Sequence, residues 1–149
     1  MKIAHRYFTE VRVDALIFIG GRETQAAAQA FAQSGLPVNG IAASVENDVA
    51  GLEMIIGTDS ALNIALDKID YLRSTPTGHL LHLIEVAGRS SGYLALMSAV
   101  VGGAAAVILP ETDGELVRNV ANVAALTESG DPIIVAAEAT DANRCAPRS

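Results

Sequence analysis

Short apolar runs alternate with longer segments of helical periodicity along most of the chain. The runs predict buried strands over residues 14–19, 37–42, 82–86, 105–109 and 133–137. Apolar positions spaced by a helical turn predict helices between the strands, over 22–34, 58–74, 93–101 and 112–128. Because strand and helix alternate throughout, we predict a three-layer α/β fold, with a mainly parallel sheet of about five strands and right-handed crossovers.

Composition agrees with this pattern and narrows the class of protein. Half of the 149 residues are hydrophobic but only 4% are aromatic, which is typical of an aliphatic sheet covered by helices. The formal net charge of −7 argues against a nucleic-acid partner, which usually requires a basic patch. No apolar run reaches the roughly 18 residues of a transmembrane helix, so we expect no membrane association. The single cysteine, Cys145, suits a reducing compartment, and we expect a cytoplasmic protein.

Polar side chains follow the predicted strands, at the edge where α/β sheets bind ligands. The candidates on this ground are Ser44, Glu46, Asp48, Arg89 and Glu138. Gly20 and Gly21 precede a helix and could present backbone N–H groups to an anion, although a tight strand-to-helix turn explains them equally well. The P-loop and dinucleotide-binding glycine motifs are absent, and the histidines lack metal spacing, so we predict no metal centre.

A longer set of residues resembles the 6-phosphofructokinase family in order and spacing. The segments that carry the resemblance are 35–40 (GLPVNG), 44–48 (SVEND), 56–63 (IGTDSALN), 84–89 (IEVAGR), 91–96 (SGYLAL) and 109–111 (LPE). The resemblance implies a phosphofructokinase-like α/β domain over 14–140, in which the chain up to about Ala43 belongs to one lobe. Residues 141–149 are predicted to form a disordered tail.

The resemblance also implies that this stretch is the middle of a phosphofructokinase unit. The glycine-rich loop that meets the donor phosphates, and a later segment with further sugar-phosphate ligands, have no counterpart in it. Apolar faces would then lack their usual cover. Three arrangements stay open: a partner chain that supplies the missing segments, a homo-oligomer, or a rearranged single sheet.

The turn after the first strand departs from the family pattern. The family has Gly-Gly-Asp-Gly/Asp-Ser, whose aspartate helps to hold the magnesium of the phosphoryl donor, where residues 20–24 read Gly-Gly-Arg-Glu-Thr. Arg22 could contact a phosphate, but it cannot ligate Mg²⁺, which prefers oxygen ligands. The candidate donor-binding residues are Gly20, Gly21 and Arg22.

The family's base motif is also altered. It reads Thr-Ile-Asp-Asn-Asp, with the first aspartate as the base, and corresponds to 44–48 here. Glu46 therefore stands at the position of the base, and Asp48 is the second candidate catalytic residue. The extra methylene of glutamate displaces the carboxylate by about an ångström, and such a misplacement costs roughly 10²-fold in rate.

The sugar-phosphate side is better retained. The resemblance implies that Gly88 and Arg89 contact the sugar phosphate, that Glu138 contacts sugar hydroxyls, and that Ser44 replaces the threonine of the base motif. Structural explanations stay open: Arg89 as a charge at the rim, Glu138 as a solvated strand end, and Asp48 as a loop or capping carboxylate.

Three functional hypotheses follow. The favoured one is a sugar-phosphate-binding domain that is catalytically impaired or inactive, similar to the regulatory halves of duplicated eukaryotic phosphofructokinases, with fructose 6-phosphate or a bisphosphate as ligand. The alternative is an active subunit that transfers phosphate from ATP or pyrophosphate to fructose 6-phosphate, and only then would Mg-ATP be a cofactor. The third is a fragment that only folds or associates. Residues 41–43 lack the lysine that would favour pyrophosphate in this family.

Overall fold

The computed structural model describes residues 6–8, 10–75, 78, 80–112 and 131–138. The strands are β1 (Leu16–Gly20), β2 (Val38–Ala42), β3 (His82–Val86), β4 (Ala106–Ile108) and β5 (Ile133–Ala137). The helices are α1 (Arg22–Gln33), α2 (Thr58–Ser74) and α3 (Tyr93–Gly102), and a short 3₁₀ helix covers Pro110–Thr112. The predicted α/β alternation is confirmed.

The predicted bounds of these elements differ from the observed ones by two residues or fewer. Most of the helix predicted over 112–128 lies outside the described residues, as does the predicted tail over 141–149.

The described strands are divided between two sheets, where we had expected one sheet of about five strands. β1 pairs with β2, and β3, β5 and β4 form a second sheet in that order, all in parallel register. The division falls in the long connection from β2 to β3, which contains an irregular loop and all of α2. It agrees with the lobe boundary near Ala43 that the family resemblance implied.

The first unit, formed by β1, β2 and α1, is held by aromatic and polar contacts between the helix and the strands. Phe18 of β1 stacks against Phe31 of α1, with ring centroids 5.5 Å apart. The Gln25 side chain donates to the carbonyl oxygens of Gly20 and Ile41 at 3.0 and 2.9 Å. These bonds fix α1 over the carboxyl ends of both strands. Gly40 leaves room for Gln25, because a Cβ at Gly40 would overlap the amide oxygen of that side chain.

The second unit contains a continuous apolar core, in which α2 and α3 pack on the β3–β5–β4 sheet. The buried residues of this core are Ala65, Ile69, Val86, Leu94, Ala95, Ala99, Ile133 and Val135. Ile69 and Val135 are fully buried. Gly102 allows the close approach of the two helices, since a Cβ there would lie 2.6 Å from Ile69 Cδ1. β5 is the central strand, which explains why Ile133, Ile134 and Val135 are all buried.

Apolar side chains also stand on open faces. Ile17 and Ile19, on the side of β1 away from Phe18, are 66% and 64% exposed, and Leu83 of β3 is 61% exposed. These exposed positions agree with the expectation of sheet faces without their usual cover. Among the described helices, none is long and apolar enough to cross a membrane.

Candidate functional site

A cleft of about 150 Å³ lies where the carboxyl ends of β1, β2 and β3 meet. Its lining residues are Gly21, Arg22, Glu23, Thr24, Glu46, Asp48 and Arg89. The structure therefore brings together three of the strand-end turns that the sequence singled out. The cleft joins the two units, because Arg22 opens α1 of the first unit and Arg89 follows β3 of the second.

The Gly20–Gly21 turn packs tightly against the chain that follows β2. A Cβ at Gly21 would lie 3.2 Å from the Cβ of Ser44 and 3.7 Å from Oδ1 of Asp48. A Cβ at Gly20 would collide with the side chain of Thr24. The glycines are thus required by close packing at this strand-to-helix turn. α1 has no side-chain cap, and the Asp48 carboxylate lies near its N-terminus, where the helix dipole favours a negative charge.

The two candidate catalytic carboxylates belong to one loop, residues 43–58, which we call the carboxylate loop. Its base is closed by a parallel bridge between Ala43 and Ile56 and by a hydrogen bond from the Ser44 N–H to the Ile56 carbonyl at 2.9 Å. Thr58, fully buried, donates its hydroxyl to the Ser44 carbonyl at 3.2 Å. The Ser44 hydroxyl accepts the Glu46 N–H at 3.3 Å, so it stabilises the turn, and it is not among the side chains that line the cleft.

Each carboxylate of the loop faces an arginine. Arg22 Nε lies 3.8 Å from Asp48 Oδ2, and Arg89 Nε lies 3.5 Å from Glu46 Oε1. The carboxylates are largely buried, with 11% and 17% of their side chains exposed, whereas the arginines are 63% and 56% exposed. Because each arginine is more than half exposed and each contact is long, these ion pairs contribute about 0–1 kcal/mol each. They are weak enough for a ligand to displace them.

The charges that line the cleft nearly cancel. Arg22 and Arg89 stand against the carboxylates of Glu23, Glu46 and Asp48, a formal sum of −1. The second carboxylate oxygen of Asp48, Oδ1, is buried and has no hydrogen-bond partner among the described residues. An anionic ligand must therefore take the guanidinium groups from the cleft's own carboxylates.

The turn that carries Arg89 is strained and closely packed. Arg89 has a φ of 42°, in the left-handed region that non-glycine residues seldom adopt. Gly88 is buried against β5, since a Cβ there would lie 2.8 Å from both the Ala137 Cβ and the Ser91 carbonyl oxygen. The Glu111 carboxylate accepts the Gly92 N–H at 2.7 Å, which fixes the end of the turn at the start of α3. Backbone strain of this kind clusters at functional sites.

Two of the residues suggested by the resemblance are not lining residues. Glu138 is exposed beyond β5, and its N–H donates to the Val86 carbonyl at 2.8 Å. Gly88 supports the Arg89 turn from beneath. Sequence reasoning did not single out Thr24, Asn47 or Glu111, the middle residue of the 3₁₀ helix. Asn47 offered one signal, because asparagine adopts the left-handed conformation more readily than most residues.

Magnesium does not fit these residues. Among the described positions, no group of three or more His, Cys, Asp or Glu side chains could hold a metal ion. The outer oxygen of Asp48 faces the Arg22 guanidinium. We therefore assign no metal-dependent step to this cleft.

The parallel strands, the crossover helices and the cleft at the strand ends define an α/β domain of the kind that binds its ligand at the sheet edge. The sequence profile of the family described as "Phosphofructokinase" matches residues 1–147. The chain therefore belongs to the phosphofructokinase family.

Curated relatives and solved structures agree with this assignment. The ATP-dependent 6-phosphofructokinase of Natranaerobius thermophilus is 43% identical over 108 residues, which are 72% of this chain and 34% of that protein. The ATP-dependent 6-phosphofructokinase of Halalkalibacterium halodurans is 37% identical over 129 residues, 85% of this chain and 40% of that protein. The chain thus spans roughly a third of the length of the curated relatives that it matches.

The phosphofructokinase structure from Saccharomyces cerevisiae superposes with a TM-score of 0.76 at 25% identity, covering 88% of this chain and 22% of that one. Pichia pastoris phosphofructokinase in the T-state gives a TM-score of 0.74 at 24% identity, over 95% of this chain and 18% of that one. The second similarity concerns the fold alone.

Proposed function

We propose that this chain is a phosphofructokinase-like domain that binds a sugar phosphate and is catalytically impaired. The observation that carries the proposal is Arg22. It stands in the cleft, paired with Asp48, at the position where the family resemblance places a magnesium-binding carboxylate. Phosphoryl transfer depends on cations that neutralise charge on the transferring group and on accurate positioning. A fixed guanidinium can contact a phosphate, but it cannot organise metal-bound phosphates as a dication does.

Binding is supported by the position of Arg89. Its guanidinium lines the cleft from a strained turn, is more than half exposed, and is held by a single long contact to Glu46. Arginine binds phosphate oxygens through paired charge-assisted hydrogen bonds, which are stronger than the existing ion pair. Because the lining residues sum to −1, we expect modest affinity for an anionic ligand.

Impaired catalysis is supported by Glu46 as well. A general base must reach the proton that it removes within hydrogen-bond distance. The Glu46 carboxylate is one methylene longer than the family's aspartate, and its Oε1 lies 3.5 Å from Arg89 Nε. A phosphate held by Arg89 would lie beside the displaced carboxylate, at a distance set by the longer side chain.

The alternative is an active subunit that transfers phosphate from ATP or pyrophosphate to fructose 6-phosphate. The presence of two mostly buried carboxylates in the cleft favours it, since both positions of the base motif remain acidic. A coupled assay for fructose 1,6-bisphosphate with each donor separates the two functions.

Several attributes belong to the same proposal. The domain extends over 14–140, works as a homo-oligomer or with a partner chain that supplies the missing segments, and is cytoplasmic. Sedimentation of the purified chain tests self-association, and a monomer at all concentrations would contradict the homo-oligomer and leave the partner chain.

Calorimetric titration with fructose 6-phosphate tests the binding proposal. We expect heat of binding for the unaltered chain, a large loss for Arg89→Gln, and no change for Arg6→Gln. Arg6 is a matched control because it is also an arginine in an exposed ion pair, with Glu10 at 2.8 Å, outside the cleft. Absence of heat and of any thermal shift with the unaltered chain would contradict the proposal.

A further inference from the structure

Asn47, which lies between the two cleft carboxylates, makes contacts of a different kind from theirs. Glu46 and Asp48 meet their arginines through single contacts of 3.5 and 3.8 Å, and both arginines are largely exposed. Contacts so long, to arginines so exposed, do not fix the position of a loop. The position of the carboxylates must be set by the backbone that carries them.

Asn47 joins the tip of the carboxylate loop to its returning arm. Its Oδ1 accepts the N–H of Ile55 at 3.0 Å, and its Nδ2 donates to the carbonyl oxygen of Glu53 at 3.0 Å. Both distances are those of well-formed hydrogen bonds. Ile55 is 4% exposed, so its N–H is costly to leave unpaired.

The backbone of Asn47 also fits its role. Its φ is 51°, in the left-handed region that asparagine adopts more readily than most residues. This conformation turns the chain sharply between Glu46 and Asp48, and both neighbouring side chains line the cleft. The base of the loop is closed separately, at Ala43 and Ile56.

We propose that Asn47 is the positioning residue of the cleft. Through its two side-chain hydrogen bonds it holds Glu46 and Asp48 against Arg89 and Arg22. The cleft's own carboxylates then compete with an incoming phosphate for both guanidinium groups. This competition rests on the proposed sugar-phosphate function, whereas the positioning of the loop does not.

The competition has an unusual expected result, because loss of the Asn47 hydrogen bonds should improve phosphate binding. Asn47→Gly keeps the left-handed backbone accessible and removes both side-chain hydrogen bonds. We expect it to bind fructose 6-phosphate and inorganic phosphate roughly two- to fivefold more tightly, the range that corresponds to losing a weak competing ion pair. A residue with only a structural role would lower the affinity when removed.

Two controls separate positioning from general destabilisation. Ile69→Val, in the core away from the cleft, should lower the melting temperature without changing the phosphate affinity. In a chain that carries Glu46→Gln and Asp48→Asn, Asn47→Gly should have no further effect, because no charged competitor is left to position. Weaker binding by Asn47→Gly, or an equal gain in the doubly neutral chain, would overturn the competition.

A spin label at position 46 tests, without any ligand, whether Asn47 positions the carboxylate loop. The label is attached to Glu46→Cys in a Cys145→Ser background, so that one thiol reacts. We expect a restricted electron paramagnetic resonance spectrum with Asn47, a clearly narrowed one with Asn47→Gly, and an unchanged one with Ile69→Val. Equal label motion with and without Asn47 overturns the positioning role. If no variant binds phosphate but the Asn47→Gly spectrum is narrowed, the proposed function is rejected and the positioning role of Asn47 is retained.

Discussion

The two units of the chain differ in how much of their apolar surface is buried. In the second unit, α2 and α3 bury a continuous core against three strands, and Ile69 and Val135 have no exposed surface. In the first unit, one helix lies on a two-stranded sheet, and Ile17 and Ile19 of β1 stand about two-thirds exposed on its other face. A two-stranded sheet rarely provides independent stability.

The cleft belongs to neither unit alone. Arg22 comes from the first unit, Arg89 from the second, and Glu46 from the loop that joins them. Because the buried core and the cleft lining share no residue, we expect the free energy of unfolding and the affinity for a ligand to depend on separate residues. Four substitutions test this separation, in order of decreasing expected effect.

Ile69→Ala should have the largest effect on stability. The side chain is fully buried between α2 and α3, and large-to-small changes at such positions cost about 2–5 kcal/mol. Chemical denaturation measures the loss. Ile64→Ala is the matched control in the same helix, because Ile64 is 61% exposed and should change stability by less than about 0.5 kcal/mol. Equal losses at both positions would contradict the assigned core.

Gly88→Ala should disturb both properties, because this residue supports the Arg89 turn from within the second unit. Its new Cβ would lie 2.8 Å from the Ala137 Cβ and from the Ser91 carbonyl oxygen. Overpacking of this kind costs about 1–3 kcal/mol, and we expect weaker binding of fructose 6-phosphate along with it. Ser90→Ala, at an exposed position of the same turn, is the control, since it adds no atom and should change stability by less than about 0.5 kcal/mol. Unchanged melting and unchanged affinity in Gly88→Ala would show that the turn is not packed as described.

Arg89→Gln should separate binding from stability. Arg89 is more than half exposed and its contact to Glu46 is long, so loss of the ion pair should cost about 1 kcal/mol of folding free energy. Loss of a charge-assisted contact to phosphate, about 1.5–3 kcal/mol, should weaken fructose 6-phosphate binding by roughly 10- to 100-fold. Calorimetry and thermal denaturation on the same sample measure the two effects. An affinity equal to that of the unaltered chain would remove Arg89 from the site.

Arg22→Asp should have the smallest effect on stability and a qualitative effect on metal binding. It removes the guanidinium and adds a carboxylate beside those of Glu23, Glu46 and Asp48, the ligand type that Mg²⁺ and Mn²⁺ prefer. We expect weak Mn²⁺ binding by this variant and none by the unaltered chain, measured by electron paramagnetic resonance. Mn²⁺ bound in the cleft of the unaltered chain would contradict the role given to Arg22.

Local periodicity predicted the helices and strands well, because the apolar spacing within each element reflects which of its own positions are buried. The apolar spacing of Leu62, Ala65 and Ile69 placed α2 at its observed bounds, and Gly102–Gly103 ended α3 close to its observed end. The division into two sheets was not predicted from periodicity. An apolar run such as 14–19 shows that a strand is buried, but not which strand lies beside it.

The cleft was predicted only in part, because the sequence shows which turns share a sheet edge but not how their side chains pair. The strand-end rule brought Glu46, Asp48 and Arg89 to one edge of the fold, the family resemblance added Arg22, and the structure places all four in one cleft. Which arginine meets which carboxylate depends on side-chain distances that no spacing rule contains. Glu138 satisfied the same rule and yet stands exposed, outside the cleft lining.

Turnover by the unaltered chain tests the central claim most directly. Formation of fructose 1,6-bisphosphate is followed with saturating Mg-ATP, and again with pyrophosphate, on a sample already shown by calorimetry to bind fructose 6-phosphate. We expect binding without turnover above the background of a chain carrying Glu46→Gln. Turnover that Glu46→Gln abolishes would contradict the account, because it would show that Glu46 acts as a base despite its extra methylene and despite Arg22 in the donor turn.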